Sequence, residues 1–340
     1  MFRILLAVPL LFLVACGTGT KPSDGTEADP SMDPLKSIEQ RILKDPSDPA
    51  LFAERARYYQ RIDSLELAVN DWKRAIALAP KDPQWPIALA DLYYQKLRLD
   101  EADELLVTAA ALDTTRTEAL LKRSELKLLL REYKPAMALA NEALRKDQLN
   151  AQGYYLKGWI HMEVGDTSLA ISSYRTAVEQ DPGFYEAYIA LGLLHAAKHD
   201  PLALQYYNTA IELEPTSVEA WYDRGIYCQE HGQDSLALVS YARIKEIAPT
   251  NALAYYNTGY ILLEHQRRTK DARAEFSKAI ALLPSHAPSF YNRGLTHEIE
   301  QRPDSAVLDY QQALRLMPGF DLAAQGLSRL QAKGVRVTLP

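Results

Sequence analysis

The sequence predicts an all-α solenoid in which helix–turn–helix repeats stack side by side. Three observations predict it. Alanines recur at a nearly fixed interval, at Ala68, Ala102, Ala136, Ala170, Ala203, Ala237, Ala272 and Ala306. Small residues run in the same register at Ala56, Ala90, Ser124, Gly158, Gly192, Gly225, Gly259 and Gly294. A third series is mostly bulky: Trp72, Leu106, Ala140, Tyr174, Tyr207, Tyr241, Phe276 and Tyr310. Such self-similarity, at a period of about 34 residues, marks repeated helix pairs, each too small to bury its own apolar face.

Composition agrees with one continuous helical array. Hydrophobic residues make up 47% of the 340, only 15 are glycine, and tyrosine is common at 20. The net charge of −6 gives no electrostatic reason to expect nucleic acid as a partner.

The N-terminus stands apart from the repeats. Arg3 precedes an apolar run from Ile4 to Val14, too short to span a bilayer as a helix. The run leads into Leu13-Val14-Ala15-Cys16, which resembles a bacterial lipobox. That resemblance implies cleavage of residues 1–15 and diacylglycerol on the sulfur of Cys16. Residues 16–33 are rich in Gly, Thr, Pro, Ser and Asp and form a flexible tether with an average span of roughly 20–25 Å. Cys228 is then the one remaining thiol. In an oxidising export compartment it is expected to be buried.

Eight repeats follow, at 49–82, 83–116, 117–150, 151–184, 185–217, 218–251, 252–286 and 287–320. The fifth lacks one residue and the seventh gains one. Both changes fall between the small-residue series and the first alanine series, where a turn joins the two helices of a pair and absorbs them at little entropic cost. Pro80, Pro182, Pro215, Pro249, Pro284 and Pro318 close six repeats, because proline forces the residue before it out of the helical region. Residues 34–48 form an N-terminal helix. Residues 321–333 form a capping helix whose Leu322, Leu327 and Leu330 cover the last repeat, and 334–340 are a tail.

These series resemble the tetratricopeptide repeat (TPR) family over residues 49–320. Tyr154, Lys157-Gly158, Ala170, Tyr174, Ala177 and Pro182 stand close to its pattern, as do Trp221, Arg224-Gly225, Ala237, Tyr241 and Pro249. The third repeat departs most, with Ser124, Lys127, Ala140 and Gln148; Lys127 is a misfit at a packed position. The resemblance implies a right-handed superhelix whose first helices (helix A) line a concave groove through positions 2, 5, 9, 12 and 13. Position 5 of the last five repeats reads Tyr155, Ile189, Tyr222, Tyr256 and Tyr291, and position 9 adds Trp159 and Tyr260. Positions 9 of the first three repeats, Arg57, Asp91 and Glu125, are charged. The expected partner site is therefore Tyr155, Trp159, Ile189, Tyr222, Tyr256, Tyr260 and Tyr291, taking peptide segments or helices of other proteins. Tyrosine at position 5 also serves packing in this family.

The carboxylate clamp of some TPR proteins is missing. Asn257 and Asn292 hold position 6, but no repeat pairs Lys at 5 with Asn at 9, and position 2 of the eighth repeat is Pro288. His161, His195 and His297 share position 11 with Cys228 and Tyr59, which reads as packing and not as a metal site. His297-Glu298-Ile299-Glu300-Gln301 lacks the second histidine of a zinc-protease helix, and no phosphate loop or nucleophile elbow occurs. No cofactor, metal, small-molecule substrate or catalysis is expected. The leading expectation is an adaptor anchored by lipid in a bacterial envelope. Gly17 after the cysteine points to the outer membrane, periplasm-facing or at the cell surface. A fixed subunit of an envelope machine is the alternative; an enzyme or glycan-binding protein is remote.

Overall fold

The computed structural model describes residues 33–337. The expected leader at 1–15, Cys16, the rest of the expected tether to residue 32 and the last three residues lie outside the described residues. Among the described residues there are eighteen α-helices and no strand. Contacts divide the chain into two compact units, Met1–Leu92 and Tyr93–Pro340.

In the first unit, α1 (Pro34–Lys44) packs on α2 (Pro49–Arg61), which pairs with α3 (Leu65–Leu78). The boundary between units falls within α4 (Gln84–Gln95). In the second unit, α5 (Leu99–Leu112) packs on α6 (Glu118–Leu129), which pairs with α7 (Tyr133–Lys146). The same hairpin recurs in α8 (Ala151–Glu163) with α9 (Thr167–Gln180), and in α10 (Tyr185–Ala196) with α11 (Leu202–Leu213). It continues in α12 (Val218–Glu230) with α13 (Asp234–Ile247), α14 (Ala252–Glu264) with α15 (Thr269–Leu282), and α16 (Ala287–Ile299) with α17 (Pro303–Leu316). Then α18 (Asp321–Ala332) packs on α17.

The residue series explain the packing. All eight alanines of the first series are 0% exposed. In the last five repeats the small residue of helix A is glycine and faces the ring of its own helix B. A Cβ on Gly158, Gly192, Gly225, Gly259 or Gly294 would lie 2.5–2.8 Å from Tyr174, Tyr207, Tyr241, Phe276 or Tyr310 respectively. The third repeat reverses the sizes. Ser124 is larger than glycine, Ala140 opposite is smaller than tyrosine, and both are fully buried. The Ser124 hydroxyl donates to the Ala136 carbonyl at 2.8 Å, so the exchange leaves no unsatisfied polar group. Lys127 is no misfit either. Its ammonium lies 3.0 Å from Asp103 and 3.4 Å from Glu132, with Arg123 also on Asp103 at 2.7 Å.

Every A-to-B turn has one residue in the left-handed region: Asp63, Leu97, Arg131, Gly165, His199, Gly232, Arg267 and Gln301. The following amide closes the turn by reaching back to a carbonyl of helix A, as in Arg98 to Tyr93 at 2.8 Å and Gln233 to Cys228 at 2.8 Å. This landmark places both length changes. The fifth repeat loses its residue after His199, which shortens α11 to 12 residues where the other B helices have 14. The seventh gains its residue before Arg267, and the closing bond widens to run from Arg268 to Leu262 at 2.8 Å.

Helix B ends on an extended residue in every repeat, whether or not proline follows. Asp113 and Asp147, which precede no proline, have φ of −135° and −137°, like Asp181 before Pro182 at −131°. Their carboxylates accept from the amides of Thr115 and Leu149 two residues on, a local turn that ends the helix as proline does elsewhere. In α18, Leu327 and Leu330 are buried against the last repeat as expected, but Leu322 is 49% exposed. Ala323 and Gly326 face inward instead, with Gly326 against the far edge of the Tyr310 ring.

Candidate protein-binding face

Within the second unit, successive A helices touch one another, α6 with α8, α10 with α12 and α14 with α16. Tyr155, Trp159, Tyr222, Tyr256, Tyr260 and Tyr291 project from these helices and are all half-buried. Ile189 differs. It is 6% exposed and packs in the core formed by α10 to α14, so it offers a partner almost no surface. Its branched apolar side chain is drawn inward where the tyrosines keep a hydroxyl at the edge.

The position-5 tyrosines are not free rings. Each lies against the helix-B aromatic of its own repeat, with centroids 5.5 Å apart for Tyr155–Tyr174, 6.5 Å for Tyr222–Tyr241, 5.9 Å for Tyr256–Phe276 and 5.7 Å for Tyr291–Tyr310. Three also meet an aromatic at the N-cap of the following helix: Phe184 at 5.1 Å, His286 at 4.8 Å and Phe320 at 5.3 Å. The cap position thus takes one of two chemistries. Asn150, Ser217 and Asn251 cap the next helix through a side-chain oxygen, whereas Phe184, His286 and Phe320 give up that bond to cover a tyrosine. Trp159 is more deeply engaged than a groove residue needs to be. Its indole packs against three separate core clusters, one containing Leu120 and Leu121, one Leu191 and Leu194, and one Leu128 and Ala136. Tyr260 is lightly held, its ring 5.9 Å from that of His265.

The face has two sectors. Toward the C-terminus it is phenolic: burial raises the Tyr256 hydroxyl, the Asn292 amide donating at 3.1 Å lowers it, and Tyr260, Tyr222 and Tyr291 lie close enough to raise it further. Around Tyr155 it is acidic. Burial raises that phenol, and Glu186, Glu125 and Glu219 raise it further. Glu219 is itself raised by desolvation and by Glu214 and Glu186, against a hydrogen bond from Tyr185 at 3.5 Å. Desolvation and Glu219 push Asp223 up to about 7. Reading position 5 and position 9 alone misses Glu186, Glu219 and Asp223, which occupy positions 2 and 6 of the fifth and sixth repeats.

Three of the position-11 residues turn inward. Cys228 is 0% exposed, His195 sits 2.8 Å from Asp200, and His297 lies 3.8 Å from Asp309. Among the described residues no group of three or more His, Cys, Asp and Glu is placed to hold a metal ion, and no helix is long and apolar enough to cross a membrane.

Known proteins place this architecture. Tetratricopeptide repeat family models match residues 151–184, 206–238, 229–287 and 256–319. Human tetratricopeptide repeat protein 16 is 26% identical over 162 residues, which span 47% of this chain and 16% of the human protein. The C-terminal part of a TPR repeat-containing protein from Cytophaga hutchinsonii superposes with a TM-score of 0.60 at 21% identity, covering 71% of this chain and 99% of that one. The Cut9–Hcn1 hetero-tetramer of the APC/C gives a TM-score of 0.51 at 14% identity, covering 87% of this chain and 59% of its counterpart. Helix pairs in one register, a small residue of helix A under an aromatic of helix B, and the family models agree: the chain belongs to the tetratricopeptide repeat family.

Proposed function

We propose that this TPR protein is an adaptor that holds peptide segments or helices of other proteins on the A-helix face of its last five repeats. One observation carries the reading: Tyr155, Trp159, Tyr222, Tyr256, Tyr260 and Tyr291 share that face with their rings half-buried. Packing holds the position-5 tyrosines in place, so little side-chain entropy is lost on binding, while their exposed edges offer apolar area and a hydroxyl. Lipid on Cys16 tethers the adaptor to a bacterial outer membrane, with the lipobox-like Leu13-Val14-Ala15-Cys16 as support. Stable anchoring needs more than one acyl chain, which a diacylglyceryl cysteine supplies.

Two experiments test the two parts. Crosslinking from membranes recovers partners, and Tyr260→Ala is then compared with wild type. Tyr260 is lightly packed, so this variant melts within a degree or two of wild type and loses binding by about tenfold or more. Full recovery of the same partners by folded Tyr260→Ala together with Tyr222→Ala rejects the face. For the anchor, Cys16→Ser abolishes labelling by a fatty-acid analogue and releases the protein from membranes; persistent labelling rejects it.

A further inference from the structure

We propose that the segment seated on α8, α10 and α12 is cationic, a stretch of another protein carrying lysines or arginines that meet Glu186 and Glu219 beside the ring of Tyr155, and Asp223 one turn further along α12. The inference rests on the binding face proposed above and assigns the chemistry of its occupant.

Elsewhere in this chain, carboxylates held between helices are neutralised by arginine. Asp71 holds Arg55 at 2.7 Å, Asp103 holds Arg123 at 2.7 Å, and Asp309 holds Arg293 at 2.7 Å. In each case an arginine at position 7 of helix A neutralises an aspartate on a helix B. The sixth repeat has the same arginine, but it is spent elsewhere: Arg224 donates to the Ser240 hydroxyl at 3.0 Å and to the Asn208 carbonyl oxygen at 3.1 Å. Among the described residues no Lys, Arg or His forms an ion pair with Glu186, Glu219 or Asp223. The carboxylates repel one another, and the protein leaves that repulsion uncompensated on a face lined with aromatic rings.

A cation is the group that such a face lacks. A lysine or arginine would relieve the repulsion among the three carboxylates, and its stem would lie along the exposed edge of the Tyr155 ring. An anionic segment would add a like charge and is excluded by the same arrangement. This is the opposite polarity to a basic clamp for a partner's terminal carboxylates, in accord with the missing clamp residues.

The test uses the full chain and three pools of short labelled peptides. The pools share degenerate apolar and aromatic positions and differ at the remaining positions, which are Lys and Arg, Gln, or Glu. Binding is followed by fluorescence anisotropy at low and high salt. The cationic pool is expected to bind about tenfold or more tighter than the Gln pool, with the advantage shrinking at high salt, and the Glu pool weakest. Asp223→Asn combined with Glu219→Gln, checked by its melting curve, removes the cationic advantage and leaves the Gln pool unchanged. Equal binding of the cationic and Gln pools, lost in Tyr222→Ala on α12, overturns the charge inference and keeps the face. Cationic binding that survives both the carboxamide pair and Tyr222→Ala overturns both. Binding of none of the pools overturns the charge inference.

Discussion

Tyr241 presses on Gly225 so closely that a methyl group at Gly225 would sit 2.7 Å from the ring's Cε1 atom. The ring cannot retreat. It is fully buried, and its hydroxyl donates to Gln229 at 3.0 Å on the same helix as the glycine. Gly225→Ala is expected to destabilise the fold by about 1–3 kcal/mol and Gly225→Leu by more, through overpacking. Gly319 has nothing within 4 Å of a built Cβ and supplies the control, so Gly319→Ala should leave the melting temperature nearly unchanged. A Gly225→Ala variant that melts with the control contradicts the packing described for the sixth repeat.

The A-to-B turns carry strain in six of eight repeats. Leu97 is held at a φ of 58° and is 81% exposed, so its side chain gains nothing from the conformation it endures. Gly165 and Gly232 occupy the same turn position without the steric penalty of a Cβ. Leu97→Gly is therefore expected to stabilise the protein by about 1 kcal/mol, and Gly165→Ala to destabilise it by a similar amount. Denaturant midpoints at unchanged slope measure both. Destabilisation by Leu97→Gly would count against a strained turn.

Lys127 shows how a departure from the family pattern is repaired. Burial works against a charged Asp103, but hydrogen bonds from Arg123 and Lys127 outweigh it and hold that carboxyl below its ordinary value. A lowered carboxyl stabilises the fold above its unfolded pKa, and that contribution disappears as pH falls through the folded value. Lys127→Met is expected to cost about 1 kcal/mol at neutral pH despite placing an apolar group at a position the family packs, and the deficit should shrink in acid. Stability equal to or above wild type at neutral pH would mean that the lysine is the misfit its sequence position suggests.

These cases show what was legible in the sequence. Repeat number and register could be read because Ala170 and its counterparts admit no larger side chain, so each helix crossing recurs as a residue type. The turn could not, because the left-handed position is filled by Asp63, Leu97, Arg131, His199, Arg267 and Gln301 as well as by glycine, and backbone closure tolerates them all. Asp113 and Asp147 end their helices by a side-chain bond that proline counting overlooks. Helical position alone could not separate Ile189, drawn into the core, from Tyr222 at the same position, held at the surface by its hydroxyl. The acidic sector was hidden because its carboxylates come from positions 2 and 6 of separate repeats and matter only together.

The acidic sector also makes a pH prediction. Asp223 is faced by Glu219 on its own helix, by Tyr185 on α10 and by Tyr207 on α11, none of which carries positive charge. Desolvation and Glu219 push its carboxyl up to about 7, from an ordinary value of 3.8. Between those values the folded chain binds a proton that the unfolded chain has released. The stabilisation from that proton is complete below the unfolded value, declines as pH rises through the window, and is gone above about 7. Asp223→Asn keeps the shape and removes the charge. It is expected to match wild type only below the unfolded value of 3.8, to pull ahead as pH rises through mild acid, and to exceed it above neutrality by on the order of 2–4 kcal/mol. A bound cation reverses this preference by favouring the ionised carboxylate, so a lysine-bearing peptide should bind wild type more tightly as pH rises from mild acid to above neutrality. The same peptide should show a flatter profile with Asp223→Asn. Chemical denaturation and peptide titration across one pH series measure both effects. A stability difference that does not change with pH would show that Asp223 is ionised throughout, and the acidic sector would then lose its most perturbed group.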